Sequence, residues 1–180
     1  LAAKAIGSRD SEEASRVFTA ALYSVLAVGV VVTVASYACC EQISLIVCAD
    51  DEIRPMVLSY LRVTSLGVTV LVLSGMMNMM VQSDGRPRLV TCAVIVGAVS
   101  NVVLDVVFIK VLGLGIAGSA WATVINYGVT VCITSSHLRR KSCSYRIVRF
   151  TKQVWHTLGA NLKQGLPLMI ANVLLSVIVL

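Results

Sequence analysis

Asp105 is a carboxylate inside a long apolar run, and it is the only charged residue between positions 89 and 109. An ionised side chain at the centre of a bilayer costs about 2.5–3.5 kcal/mol on insertion scales, so it usually faces a partner or a watery cavity. Asp105 is therefore a candidate for binding a cation or a proton. The alternative is that it lies near the outer membrane interface and is simply hydrated.

Three neutral side chains that carry oxygen atoms are expected near Asp105. Asn101 precedes it by one helical turn, so the two share a helix face. Thr123 and Asp105 are equally far in sequence from Leu114, so two antiparallel helices joined there place them at similar depth. Tyr60 enters an earlier helix at comparable depth. Because hard cations and protons bind such oxygens, the sequence predicts one cation or proton site formed by these four residues.

Asn78 is surrounded by methionines at positions 76, 77, 79 and 80. Flexible thioethers suit promiscuous apolar binding surfaces, although they more often fill gaps between helices. Asn78 lies near the inner end of its helix, too deep to join Asp105 directly. We assign it to a candidate substrate cavity.

Gly113, Gly115 and Gly118 match the GxGxxG pattern of dinucleotide-binding folds. That pattern requires a short strand before it and an acidic residue about 20 residues later. Here the preceding run is long enough to span a membrane, and no Asp or Glu follows Asp105. These glycines, like Gly97, instead predict a tight turn and close approach of two helices.

Six cysteines and two histidines show no metal-binding pattern. No CxxC pair is present, and His137 and His156 are too far apart for a helical metal pair. The cysteines are interpreted as small, buried apolar residues. The sequence predicts no metal centre, no organic cofactor and no catalytic residues, because no set of nucleophile, base and acid is visible.

The elements that must position these residues are membrane-spanning helices. Apolar residues make up 57% of the chain, charged residues make up 13%, and the mean hydropathy is +0.87. Apolar blocks lie at 18–40, 63–83, 89–109 and 111–138, near the roughly 20 residues that a spanning helix needs. A fifth block begins at 164 and continues to residue 180. The sequence therefore predicts an all-α polytopic membrane protein, with four complete spans and the start of a fifth.

The connections carry helix-end signals. Glu12 and Glu13, and likewise the acids at 50–52, are expected in the first turns of helices. Asp84 and Gly85 predict a turn, and Pro87 suits the start of the next helix. The chain begins at Leu1 and stops within an apolar run, which we interpret as part of a longer protein.

The basic residues indicate how the chain is oriented. The net charge is +6, and 12 of the 15 Lys and Arg residues fall on one predicted side of the membrane. They are Lys4, Arg9, Arg16, Arg86, Arg88, Arg139, Arg140, Lys141, Arg146, Arg149, Lys152 and Lys163. The positive-inside rule places this side in the cytoplasm, as expected for a multi-pass protein of the cell membrane. The positive charge thus reports topology and does not indicate nucleic-acid binding.

The stretch 145–162 has apolar residues on one helical face and basic or polar residues on the other. It predicts an amphipathic helix on the cytoplasmic membrane surface, with Trp155 at the level of the headgroups. The alternative is a solvated linker with accidental periodicity.

Several motifs resemble those of the multidrug and toxic compound extrusion (MATE) transporters. The most specific are NVVLD at 101–105 and LGLGIAGSAWAT at 112–123, which resemble the fifth and sixth helices of that family. Shorter matches follow the family order: AIGSRD at 5–10, YLRV at 60–63, QSDGRP at 82–87 and QGLP at 164–167. The resemblance covers nearly the whole chain.

The resemblance implies twelve helices in two lobes. Residues 1–136 would supply helices three to six of the amino-terminal lobe. Residues 137–163 would form the cytoplasmic lobe linker with its amphipathic helix, and 164–180 would start the carboxy-terminal lobe. One branch of the family has an acidic cation site in its amino-terminal lobe. Asp105, Asn101 and Thr123 match its fifth- and sixth-helix members, and Tyr60 matches its fourth-helix member.

The function that the resemblance implies is antiport: inward flow of Na+ or H+ drives export of amphipathic, often cationic, drugs and toxins by alternating access. The expected partners are the lipid bilayer, small drug-like substrates and the rest of the same chain, with no nucleic acid. One alternative is a lipid-linked oligosaccharide flippase, whose cavity should be more basic. Another is a non-transporting membrane scaffold. An enzyme is not expected.

Overall fold

The computed structural model describes residues 11–47, 50–140, 143–148 and residue 159, and all structural statements below concern these residues. Their regular structure is entirely helical. The α-helices are α1 (Ser11–Ala38), α2 (Cys40–Val47), α3 (Arg54–Ser83), α4 (Pro87–Val106) and α5 (Gly115–Ser135). A π-helical turn, Val107–Val111, continues α4, and a 3-10 helix, Ser136–Arg139, follows α5.

Four helical segments are long and apolar enough to cross a membrane: Ser11–Ala38, Arg54–Ser83, Pro87–Val111 and Gly115–Arg139. The prediction of an all-α polytopic protein with four spans is therefore confirmed. α1 and α3 begin seven and nine residues before the predicted blocks, because those blocks exclude charged residues, whereas the helices include Arg16 and Arg62. The predicted fifth block, 164–180, lies outside the described residues.

The predicted turns between helices are confirmed. Gly85 has φ +75° in the connection that follows Asp84, a conformation available to glycine at little cost. Pro87 lies at the start of α4, where its missing N–H leaves no donor unpaired. Gly113 and Gly115, with φ of +65° and +55°, shape the short connection that leads into α5.

The acidic residues at 50–52 do not occupy the first turn of a helix, so that part of the prediction is wrong. α3 begins at Arg54, with a proline in its first positions and no acid in its first turn. The backbone N–H of Glu52 instead donates to Oδ1 of Asp50 at 2.9 Å, and Asp51 pairs with Arg54. The local Asp turn therefore competes successfully with helix formation. The equivalent prediction for Glu12 and Glu13 is confirmed, since both lie in the first turn of α1.

Residues 25–141 form one compact unit in which α5 packs against both α3 and α4. Glycines make this close packing possible. A Cβ at Gly67 of α3 would lie 2.4 Å from Cγ2 of Val124, and a Cβ at Gly97 of α4 would lie 2.2 Å from Oδ1 of Asn126. The close helix approach predicted at Gly97 is thus confirmed, and α5 is the helix that approaches it.

The outward surface of this unit is apolar. Val31 is 67% exposed and Val102 is 64% exposed, and many other large aliphatic residues on the long helices are exposed as well. An exposed apolar surface of this extent is typical of a protein that faces lipid. Near the helix ends the surface becomes charged, as where Arg62 of α3 pairs with Glu41 of α2 at 3.3 Å.

Residues 1–24 and 142–180 form a second unit, described for 11–24, 143–148 and 159. Phe18 packs on Tyr145, with ring centroids 4.6 Å apart. The backbone N–H of Arg146 donates to Oγ of Ser15 at 2.9 Å, and that of Val148 donates to Oγ1 of Thr19 at 3.1 Å.

These contacts show that residues 145–148 are not helical, so the predicted amphipathic helix does not begin at Tyr145. Ser15 and Thr19 are one helical turn apart in α1, and their hydroxyls accept from the N–H groups of Arg146 and Val148, which are two residues apart. This spacing matches an extended segment. Most of the remainder of the predicted helix, including Trp155, lies outside the described residues. The predicted boundaries at 136/137 and 163/164 remain predictions.

Candidate functional site

The predicted site residues Asn101 and Asp105 lie on the face of α4 that packs against α5. Gly97, Asn101 and Asp105 are spaced four residues apart, and Gly97 contacts α5 directly. Both polar residues are half-buried. Oδ1 of Asp105 is buried and accepts no hydrogen bond from any residue that the structure describes. A buried oxygen of this kind normally has a partner, so it marks a place where a ligand would be stabilised.

Thr123 projects from the facing side of α5. Thr130 contacts Gly97, and Thr123 lies two helical turns before it, hence on the same face. Near the start of α5, a Cβ at Gly118 would lie 2.8 Å from Cβ of Phe108, in the π-helical turn that follows α4. Between these two contacts the helices run antiparallel, so Thr123 lies opposite Asn101, and Asp105 is about one turn further along. The structure therefore places these three side chains along one helix–helix seam.

The hydroxyl of Thr123 is compatible with a ligand role. Its Oγ1 donates to the carbonyl oxygen of Ser119 at 3.1 Å, which uses its only hydrogen. The lone pairs of the oxygen remain able to coordinate a cation.

Tyr60 belongs to α3 and also faces α5. It lies two turns before Gly67, which contacts Val124. Because α3 and α5 run parallel, Tyr60 lies opposite Ala117, about one turn further outward than Asp105. It therefore lies on the α3–α5 interface, further outward than the other three residues, and does not share the level of Asn101.

Asn78 is far from these residues. It lies 11 residues after Gly67 on nearly the same face of α3, so it is about 20 Å along the axis from the level of Asp105. Its Oδ1 is buried and accepts no hydrogen bond from the described residues. Met77 and Met80 nearby are buried. The structure thus keeps Asn78 and Asp105 at opposite ends of the packed helices, as the sequence predicts.

The helix that carries Asp105 changes geometry directly after it. α4 ends at Val106 and continues as the π-helical turn Val107–Val111, in which the N–H of Leu112 donates to the carbonyl of Val107 at 2.9 Å. π-helical turns in α-helices are frequent at functional sites. The change in helix geometry directly after Asp105 supports its choice as a candidate site residue.

Sequence reasoning missed further polar residues on the same surfaces. Asn126 and Thr130 of α5 contact Gly97, and Thr64 of α3 lies one turn from Tyr60 at the level of Asp105. The signal was available: Asn126 and Thr130 continue the helical face of Thr123 at spacings of three and seven residues. Asn126 and Thr130 extend the oxygen-rich seam toward the inner end.

The cysteines are only partly as predicted. Cys40 is buried, and its Sγ donates to the carbonyl of Ser36. Cys39, Cys92 and Cys132 are exposed, so for them the expected burial is wrong. Small apolar side chains on a membrane-spanning helix face lipid at no cost, because lipid replaces the protein interior as an apolar surrounding.

Comparisons with known proteins identify the family of the chain. The family model MatE matches residues 1–107. The multidrug export protein MepA of Staphylococcus saprophyticus is 26% identical over 176 residues, covering 96% of this chain and 38% of that protein. MepA of Staphylococcus haemolyticus is 23% identical over 173 residues, with the same coverage. The chain thus spans about 38% of the length of these relatives.

Solved structures of transporters also match. A multidrug resistance MATE family transporter of the MOP superfamily in an inward-facing conformation has a TM-score of 0.81 and 26% identity, covering 92% of this chain and 38% of that one. A structure described as a multidrug resistance MATE family transporter in an outward-facing conformation has a TM-score of 0.83 and 26% identity, covering 98% of this chain and 40% of that one. A MOP superfamily transporter from Pyrococcus furiosus, described as having a binding pocket of reverse polarity, has a TM-score of 0.79 and 27% identity, covering 92% and 37%. With four apolar spanning helices and a family model that matches more than half of its residues, this chain belongs to the MatE family of membrane transporters.

Proposed function

We propose that the protein is a cation-coupled antiporter of the cell membrane that exports amphipathic, often cationic, drugs and toxins by alternating access. Inward movement of Na+ or H+ would drive export. The proposal rests on family membership and on one observation: Oδ1 of Asp105 is buried between packed helices and accepts no hydrogen bond from the described residues.

Asp105 would bind the coupling ion, and the neighbouring oxygens would complete its shell. Asn101 offers an amide oxygen one turn away, and Thr123 faces it from α5 with free lone pairs. Tyr60 would act further outward, on the α3–α5 interface, where an ion enters. A carboxylate within a membrane-spanning helix is costly unless it has a partner, and a bound Na+ or proton would supply one for Asp105.

Ion binding would be linked to movement of the helices. Neutralising Asp105 removes the cost of closing the seam around a charge, so the ion favours a state in which the carboxylate is enclosed. The chain resembles an inward-facing and an outward-facing relative about equally, with TM-scores of 0.81 and 0.83, which supports alternating access between two such conformations.

The cargo would be a cationic, amphipathic molecule. The relatives are named as multidrug export proteins. Apart from Glu12 and Glu13 in the first turn of α1, Asp105 is the one acid within the described spans, which favours cations over the anionic headgroup of a lipid-linked sugar. The methionine-rich region around Asn78, at the inner end, would provide an adaptable apolar surface for binding.

The decisive experiment is efflux of a cationic dye by the full-length protein under separate Na+ and H+ gradients. Asp105→Asn should abolish gradient-dependent efflux at normal expression. The gradient that drives efflux by the wild-type protein, Na+ or H+, identifies the coupling ion. Glu41→Gln is the matched control, because it also removes one carboxylate but lies exposed at a helix end and should keep efflux near wild type. Unchanged efflux in Asp105→Asn would show that Asp105 has no role in coupling and is simply hydrated near the membrane interface.

Two alternatives give different results in the same preparation. A flippase would bind a lipid-linked oligosaccharide in preference to the dye. A non-transporting scaffold would move neither compound under any gradient. Either result would reject the antiport proposal.

A further inference from the structure

We propose that a basic cavity at the end of the helices where α4 begins binds the phosphate group of an anionic phospholipid. The cavity has a volume of about 410 Å³. Its lining residues all belong to the compact unit 25–141: Gly85, Arg86, Pro87, Arg88, Leu89 and Arg140. The proposed drug export does not require this site.

Two separate chain segments form the cavity, and a buried polar pair holds them together. Nε2 of His137 lies 2.6 Å from Oδ2 of Asp84, and the two side chains are 0% and 3% exposed. Asp84 directly precedes the turn that carries Arg86 and Arg88, and His137 lies one 3-10 turn before Arg140. The pair therefore positions the two arginine-bearing segments against each other.

The charge of the cavity is suited to a phosphate. Arg88 and Arg140 form no salt bridge with a described residue. The acid nearest in sequence, Asp84, is buried against His137. The amino-terminal end of α4, starting at Pro87, adds partial positive charge. Guanidinium groups bind phosphate oxygens in a bidentate fork, which makes arginine the preferred residue for such ligands.

An exposed apolar stripe that starts at the cavity indicates a lipid as the source of the phosphate. Cys92, Ile95, Val99 and Val102 follow Arg88 along one face of α4 at alternating spacings of four and three residues, and all are exposed. Acyl chains lying on this stripe would place a phospholipid headgroup at the arginines. The distribution of Lys and Arg assigns this end to the cytoplasmic leaflet, where anionic lipids concentrate.

The test is native mass spectrometry of the full-length protein in detergent, titrated with phosphatidylglycerol or phosphatidylcholine. Phosphatidylglycerol should bind in preference. Arg140→Gln should weaken its binding about fivefold, the effect of one basic residue near an anionic surface. Arg139→Gln is the matched control, because Arg139 is the adjacent exposed arginine and does not line the cavity; it should change binding by less than about twofold. Arg140→Lys should give an intermediate loss, since it keeps the charge without the fork.

Three results would overturn the proposal. Equal losses in Arg139→Gln and Arg140→Gln would indicate diffuse surface attraction. Equal binding of both lipids would exclude recognition of an anionic headgroup. Inorganic phosphate that binds alone with the same Arg140 dependence, and displaces phosphatidylglycerol, would assign the site to free phosphate. If Arg140→Gln does not fold, Arg88→Gln from the opposite segment carries the same expectation.

Discussion

His137 and Asp84 are 53 residues apart in sequence, yet Nε2 of His137 lies 2.6 Å from Oδ2 of Asp84, with both side chains buried. This relationship joins the turn between α3 and α4 to the 3-10 helix after α5. α5 packs along its length against α3 and α4. The His137–Asp84 pair adds a polar contact between the same helices at one end.

Removing one member of the pair should destabilise the protein strongly. His137→Ala leaves the Asp84 carboxylate buried without this partner, a loss of about 3 kcal/mol. His137→Gln keeps a donor and should recover part of it. Thermal unfolding of the full-length protein measures both variants. A double-mutant cycle with Asp84→Asn should show coupling of at least about 1 kcal/mol, and strict additivity of the two losses would contradict the pairing.

The close approach of α4 and α5 predicts opposite effects of two Gly→Ala substitutions. At Gly97 a Cβ would lie 2.2 Å from Oδ1 of Asn126 and 2.8 Å from Oγ1 of Thr130, so Gly97→Ala should cost about 1–3 kcal/mol. At Gly75 of α3 nothing lies within 4 Å, so Gly75→Ala should be neutral or stabilise by up to about 1 kcal/mol. Thermal unfolding midpoints compare them, and equal midpoints would refute the close approach.

The side-chain oxygens of Asn101 and Thr123, proposed to complete the ion site, should contribute to ion affinity but not to the expression level of the protein. Asn101→Ala and Thr123→Val each remove a neutral ligand, which should raise the ion concentration for half-maximal efflux about fivefold, equivalent to about 1 kcal/mol. The measurement is dye efflux by the full-length protein against Na+ concentration and against pH.

Thr91→Val is the control for these variants. Thr91 lies on α4 near its start, is exposed, and donates to the carbonyl oxygen of Pro87. Its replacement should leave the ion dependence of efflux unchanged. If Thr91→Val shifts that dependence as much as Thr123→Val, loss of any threonine hydroxyl explains the effect and the assignment of Thr123 is wrong.

The extended segment beside α1 should loosen when its hydroxyl partner is removed. Thr19→Val deletes the acceptor for the N–H of Val148, so hydrogen exchange at Val148 should quicken about fivefold, equivalent to about 1 kcal/mol. Hydrogen exchange of the full-length protein measures this. Ser24→Ala is the comparison, because the Ser24 hydroxyl donates within its own helix to Ala20 and should leave exchange at Val148 unchanged.

The sequence alone determined the number of spans, the turns at Asp84–Gly85 and Gly113–Gly115, and the shared face of Asn101 and Asp105. These features depend on hydropathy, glycine conformation and helical period, which act over a few residues. The prediction that the acids at 50–52 occupy the first turn of a helix was wrong, because a turn formed by the side chain of Asp50 competes with helix formation over the same residues.

Only the tertiary structure decided which surfaces meet. α5 packs closely against Gly67 of α3 and Gly97 of α4, and these two contacts determine its rotation and register. Thr123 therefore lies opposite Asn101, and Asn126 lies at the α4–α5 interface. The Asp84–His137 pair and the extended conformation of 145–148 likewise depend on groups that are distant in sequence. Periodicity gives the direction in which a side chain points on its own helix, and only packing between helices decides what it meets there.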